Sequence, residues 1–107
     1  MTQRLYSTCP RWVRLYRGVD DEEMRRVEAT GLLSPAPHNA GNAASVDRDV
    51  AVIYATERDD EGWLLGFLAP ADAVEEDPVF RGDYRFLRAF KPRGLVARRV
   101  TRADRAR

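Results

Sequence analysis

The apolar and polar positions first fall into a regular pattern at Trp12. Trp12, Val13, Leu15, Tyr16 and Val19 mix aromatic, β-branched and aliphatic side chains, with Arg14 and Arg17 between them, which predicts a strand rather than a helix. Asp20 precedes Glu23 at capping-box spacing, and Asp21 and Glu22 put negative charge where a helix dipole favours it, so a helix is expected to start here. Met24, Val27 and Ala29 follow at helical spacing, Arg25 and Arg26 stay outside, and Gly31 supplies a left-handed stop after about three turns.

Leu32 and Leu33 resume apolar burial, but Ser34 to Ser45 is dense in Pro, Ala, Asn and Gly without periodicity and reads as an exposed loop of a length that often serves sites. Val50 to Ala55 is a continuous apolar run, the pattern of a strand covered on both faces and central in its sheet. Asp59 to Glu61 could cap a helix running through Trp63, Leu64, Leu65, Phe67 and Leu68; Gly62 and Gly66 weigh against it, and the helix and strand readings both stay open. Tyr84 to Phe90 and Leu95 to Val100 read as two further strands separated by the turn Lys91-Pro92-Arg93-Gly94. The expected fold class is α+β: a small mixed or antiparallel sheet with one or two helices. It forms a single domain over residues 1–107, with 1–10 and 101–107 as flexible ends.

Composition agrees with that picture and excludes several classes. A chain of 107 residues that is 44% hydrophobic and 9% aromatic can bury one core, which rules out a multi-domain enzyme and wholesale disorder. No apolar run approaches the roughly 20 residues that span a bilayer, and no apolar signal segment follows the N-terminus, so a soluble, cytoplasmic chain is expected. Cys9 is the only cysteine and His38 the only histidine, which excludes an internal disulfide and a zinc finger. As a thiolate and base pair they lack a third, orienting group.

The net charge of +1 hides a strong segregation. Residues 57–77 hold eight acids against the single Arg58, and residues 78–107 hold ten basic side chains against Asp83 and Asp104. One reading is that the two blocks face each other or lie on separate solvated surfaces. The other is that they dock a partner. Glu75, Glu76 and Asp77 would meet a basic protein or imitate phosphate, while Arg85, Arg88, Arg98 and Arg99 would meet phosphates. With Arg81, and with Tyr84 and Phe86 as stacking platforms, that region could bind nucleic acid.

The sequence contains no G-x-G-x-x-G, no G-x-x-x-x-G-K, no G-x-S-x-G and no H-E-x-x-H, so the cofactor and catalytic folds those motifs mark are out. One ordered set of residues does point to a family. Leu15-Tyr16-Arg17-Gly18-Val19, then the acidic helix Asp20 to Thr30, then Gly31-Leu32-Leu33-Ser34, and later Ile53-Tyr54-Ala55-Thr56 resemble the opening half of small ADP-ribosyltransferase-like domains. The resemblance implies that Arg17 holds NAD and Gly18 exposes backbone to the nicotinamide amide. It also implies that Tyr54, on a second strand, stacks on the nicotinamide ring, and that Thr56 borders the same pocket. A guanidinium for phosphate or ribose oxygens, a glycine for close approach and an aromatic face for a flat ring suit a dinucleotide on physical grounds too.

The family's catalytic glutamate comes late in the chain, whereas here no Glu follows Glu76, and Glu57 does not match its place. The implied function is therefore an NAD-binding ADP-ribosyltransferase-like protein acting on a macromolecular target, either active or catalytically degenerate, with no residue assigned as catalytic acid. The alternative is a non-enzymatic, phage-type inhibitor of a host defence complex or an adaptor. Such a protein would bind a host protein or nucleoprotein complex through its acidic and arginine-rich surfaces.

Overall fold

Burial along the first strand, β1 (Trp12–Val19), alternates so that Leu15, Arg17 and Val19 lie buried on one face. In the computed structural model, which describes residues 11–35 and 43–105, the chain then enters α1 (Asp21–Thr30) through the expected cap. The Asp20 carboxylate accepts from the Glu23 backbone N–H at 2.8 Å, and Gly31 closes the helix at φ 72°. Met24 and Val27 are its buried side chains. Cys9, His38 and the expected N-terminal arm lie outside the described residues.

The remaining elements are β2 (Ala44–Ser45), α2 (Arg48–Ala55), β3 (Glu61–Pro70), β4 (Val74–Glu76), β5 (Asp83–Phe86) and β6 (Arg93–Thr101). The six strands form one antiparallel sheet in the order β4-β5-β2-β1-β3-β6. An α+β fold with an antiparallel sheet and two helices is what the apolar pattern predicts in outline. Side chains alternate across a strand, so the sheet has two cores. Leu15, Val19, Leu65, Phe67 and Ala69 pack with Met24 and Val27 of α1 on one face, and Leu64 and Val100 pack with Ala51, Val52 and Ala55 of α2 on the other. Leu15, Leu65 and Phe67 are fully buried, each contributing about 1.5–3 kcal/mol of transfer free energy.

The run Val50 to Ala55 is not the central strand its composition suggests; it lies within the helix α2. A short apolar run carries no period by which strand and helix can be told apart, and here the local cap decides. The Asp47 carboxylate accepts from the Asp49 N–H at 2.9 Å. Ala51, Val52 and Ala55 then fall on one helical face, while Ile53 and Tyr54 point to solvent. The strand position beside β1 belongs instead to β3, paired residue for residue from Trp12↔Pro70 to Val19↔Trp63, which resolves the open reading of residues 61–68.

One other expectation is corrected at the C-terminal end. The strand expected over Tyr84 to Phe90 stops at Phe86, and Phe90 reaches only a single bridge to Leu33. Beyond β6 the chain folds back on the end of α2. Thr101 and Asp104 close a capping box around a short 3-10 turn, and the Arg105 guanidinium donates to the Thr56 hydroxyl at 2.8 Å and carbonyl at 3.0 Å.

What joins α2 to the sheet is backbone on backbone. A Cβ on Gly18 would collide with the Ala51 carbonyl oxygen and the Ala55 amide nitrogen, and one on Gly62 with the carbonyl oxygens of Ala55 and Val19. Gly18→Ala and Gly62→Ala are each expected to lower unfolding free energy by about 3 kcal/mol or more, the upper range of overpacking. Urea denaturation checks this, and a change below about 1 kcal/mol in both variants contradicts the packing.

Candidate functional site

Arg17 lies buried on the α1 face, and each nitrogen of its guanidinium donates one hydrogen bond. Nε donates to Glu23 Oε2 at 2.8 Å and Nη2 to Glu23 Oε1 at 2.9 Å, a bidentate pair with the first helix. Nη1 donates to the Ala43 carbonyl, and the guanidinium carbon lies 5.5 Å from the centroid of the Phe86 ring. A guanidinium is planar and keeps its charge, so burial beside a carboxylate and an aromatic face satisfies it. The residue that resemblance assigns to NAD thus ties β1 to α1, to Ala43 just before β2, and to β5.

The other residues of that assignment do not gather around it. Gly18 is pressed against α2. Tyr54 sits on α2, 48% exposed, with the sheet between it and Arg17, rather than on a neighbouring strand. Thr56 is fully buried at the end of α2, where its hydroxyl donates to the Val52 carbonyl at 2.8 Å and accepts from Arg105. The expected cleft with Arg17 and Tyr54 on facing walls is not formed by these side chains. A run that folds as a helix instead of a strand turns Tyr54 away. Asp83, the acid on β5, pairs with Ser45, which pairs with Tyr16. Cross-strand partners share a face, so Asp83 takes the side opposite Arg17, and the carboxylate that reaches Arg17 is Glu23.

The acidic and basic blocks meet in space. Glu75 and Arg85 are cross-strand partners joined at 2.8 Å, and Arg88 reaches Asp72 at 2.8 Å. Arg99 bridges Asp21 at 2.7 Å and Glu61 at 2.6 Å while lying 5.3 Å from the Trp63 ring centroid. Arg98 is looser, 3.6 Å from Asp104. Of the stacking platforms expected beside these arginines, Phe86 is buried in an aromatic cluster with Phe67 and Phe90, and Tyr84 packs against the same core.

The hairpin joining β4 and β5 brings forward residues that charge and motif reading passed over. Glu76 and Asp77 act there as braces: Asp77 Oδ1 accepts from the N–H groups of Val79 at 2.7 Å and Phe80 at 2.9 Å, and Glu76 Oε2 accepts from Gly82 at 2.8 Å. Gly82 turns at φ 90°, and its carbonyl accepts from the Val46 N–H at 2.8 Å. The result is a pinned turn with Val79 74% and Phe80 63% exposed at its tip. The signal in the sequence is the apolar pair inside the turn-forming Asp77-Pro78-Val79-Phe80-Arg81-Gly82.

No protein-family model, curated protein or solved structure matches the chain. No helix among the described residues is long and apolar enough to cross a membrane.

At the start of α1, Asp20, Asp21, Glu22, Asp59 and Glu61 surround an open concavity of about 390 Å3 together with Arg58. Among the described residues no group of three or more acids, His or Cys is placed to hold a metal ion. Asp21 is tied instead by the Trp63 indole N–H at 2.8 Å and by Arg99, and these, the indole first, hold its carboxyl below the usual carboxylate range. A carboxyl lowered in the folded state stabilises fully above its unfolded value, and that contribution is lost as pH falls through the folded one. The melting-temperature gap between wild type and Asp21→Asn, open at pH 7, is therefore expected to close below about pH 4; a gap that persists at pH 2 contradicts this.

Proposed function

We propose that the protein is a non-catalytic binding module that inserts the tip of its β4–β5 hairpin, Phe80 above all, into an apolar cleft on a protein partner. The observation that carries this reading is a large aromatic side chain held out in solvent by a turn that its own carboxylates pin down. A side chain exposed in a rigid setting loses little conformational freedom on docking, and aromatic anchors dominate interface energetics. Val79 extends the apolar tip, and the Glu75–Arg85 pair behind it supplies a polar rim. Affinity capture from extract is expected to retain a partner with wild type at high salt and to lose it with Phe80→Ser. The loss should correspond to about 2 kcal/mol or more, roughly 30-fold in affinity, with the melting temperature unchanged. Retention of the same partner by Phe80→Ser contradicts the proposal.

The NAD reading keeps one supporting observation, the Arg17 fork. It is set by the Ala43 carbonyl and the Phe86 ring, and it already grips an anionic oxygen pair. In that reading a pyrophosphate displaces the Glu23 carboxylate and is bound without transfer, since the Arg17 face of β5 offers no acid. Calorimetry is then expected to detect NAD binding that tightens in Glu23→Gln; no heat from either protein eliminates it.

A further inference from the structure

The sheet ends on β6, a strand of 9 residues of which only Val100 is buried. The strand order places β3 on one side of it and no described strand on the other. Register decides which backbone groups face outward. Arg102 donates its N–H to the Asp60 carbonyl at 2.9 Å, and the pairing Glu61↔Thr101 makes these two residues direct opposites. Hydrogen-bonded and non-hydrogen-bonded pairs alternate along an antiparallel ladder. Val96, Arg98 and Val100 therefore turn their N–H and C=O groups to β3, while Ala97, Arg99 and Thr101 turn theirs outward. Thr101 agrees with that parity, since its N–H donates to Asp104 Oδ2 at 2.7 Å. The backbone groups of Ala97 and Arg99 have no such partner among the described residues. An open row of this kind is a template for a further strand.

The side chains of β6 select what pairs there. The strand holds Arg93, Arg98 and Arg99 and no acid. Arg99 is engaged by Asp21 at 2.7 Å and Glu61 at 2.6 Å. Arg98 is half-exposed and meets Asp104 only at 3.6 Å. Arg93 lies 4.8 Å from the Trp12 ring centroid and holds no carboxylate among the described residues. A second copy would lay this basic strand along itself, and like charges facing across a ladder are destabilising. We infer that the β6 edge takes up an extended acidic segment of a partner protein, which adds a strand to the sheet. Ala97 and Arg99 exchange backbone hydrogen bonds with it. Cross-strand neighbours share a face, so the segment sets a carboxylate beside Arg98 and, two residues along, an apolar side chain beside Val96, which is 67% exposed. The β4–β5 hairpin lies at the other end of the strand order, so this surface is separate from the Phe80 tip.

Amide hydrogen exchange followed by nuclear magnetic resonance reads the added strand at the atoms it uses. The probe is an acetylated octapeptide that repeats glutamate, threonine, valine, threonine. In the free protein the Ala97 and Arg99 amides are expected to exchange about ten-fold faster than those of Val96 and Arg98, and saturating peptide is expected to remove that difference. A peptide with lysine in place of glutamate, or one with the same side chains on an N-methylated backbone, is expected not to bind. Arg98→Gln is expected to weaken binding about three-fold, the scale of one exposed ion pair, whereas Arg26→Gln, on the exposed side of α1, leaves it unchanged. Absence of binding, equal affinity for the lysine or N-methylated peptide, or fast exchange of Ala97 and Arg99 in the complex overturns the inference. Slow exchange at both amides before peptide is added, with a dimer in sedimentation, also overturns it, by giving the edge to a second copy.

Discussion

The backbone of α2 lies directly against the backbones of β1 and β3, because Gly18 and Gly62 leave no Cβ in the way and Ala51 and Ala55 present only methyl groups. That contact fixes which side of the sheet each helix takes. With α2 seated on the face of Gly18, Tyr16 and Leu64, the alternation along β1 sends Leu15, Arg17 and Val19 to the other face, under α1. The burial of Arg17 follows from the same geometry. Its guanidinium is closed over by Glu23, the Ala43 carbonyl and Phe86, and it serves as a polar link inside an otherwise apolar layer. Among the described residues no buried side-chain nitrogen or oxygen is left without a partner, as a low-dielectric interior requires.

Charge plays a smaller energetic part than its abundance suggests. Exposed ion pairs contribute about 0–1 kcal/mol each, so the contacts of Arg85 with Glu75 and of Arg88 with Asp72 set register and suppress repulsion more than they stabilise. Pairing of the two charge blocks across β4–β5 and β3–β6 gives Arg85 and Arg99 carboxylate neighbours within the sheet. One feature stands out against that background: an apolar hairpin tip, Val79 and Phe80, that the described residues leave exposed.

Where the sequence is punctuated, the fold is legible in it. Asp20, Glu23 and Gly31 mark α1 to the residue, and the alternation from Trp12 to Val19 marks β1. The segment Val50 to Ala55 is not legible, because a short apolar run carries no period of its own and the glycines that accept its helix backbone lie on distant strands. Gly62 and Gly66 weigh against a helix over residues 61–68 and do serve a strand, one under α2 and one under the Tyr16 ring. The site assignment inherited the first error, since a helical Tyr54 leaves the face that Arg17 occupies. Phe80 escaped notice because exposed apolar residues carry no periodic signal, and the carboxylates beside it read as surface charge although Asp77 and Glu76 hold the turn.

The seating of α2 is tested most directly by through-space nuclear Overhauser contacts in solution. Strong cross-peaks are expected from the Gly18 and Gly62 α-protons to backbone protons of Ala51 and Ala55, with none between the Tyr54 ring and the Arg17 side chain. Absence of the glycine cross-peaks, or proximity of Tyr54 to Arg17, would place residues 50–55 elsewhere and contradict the account of both faces.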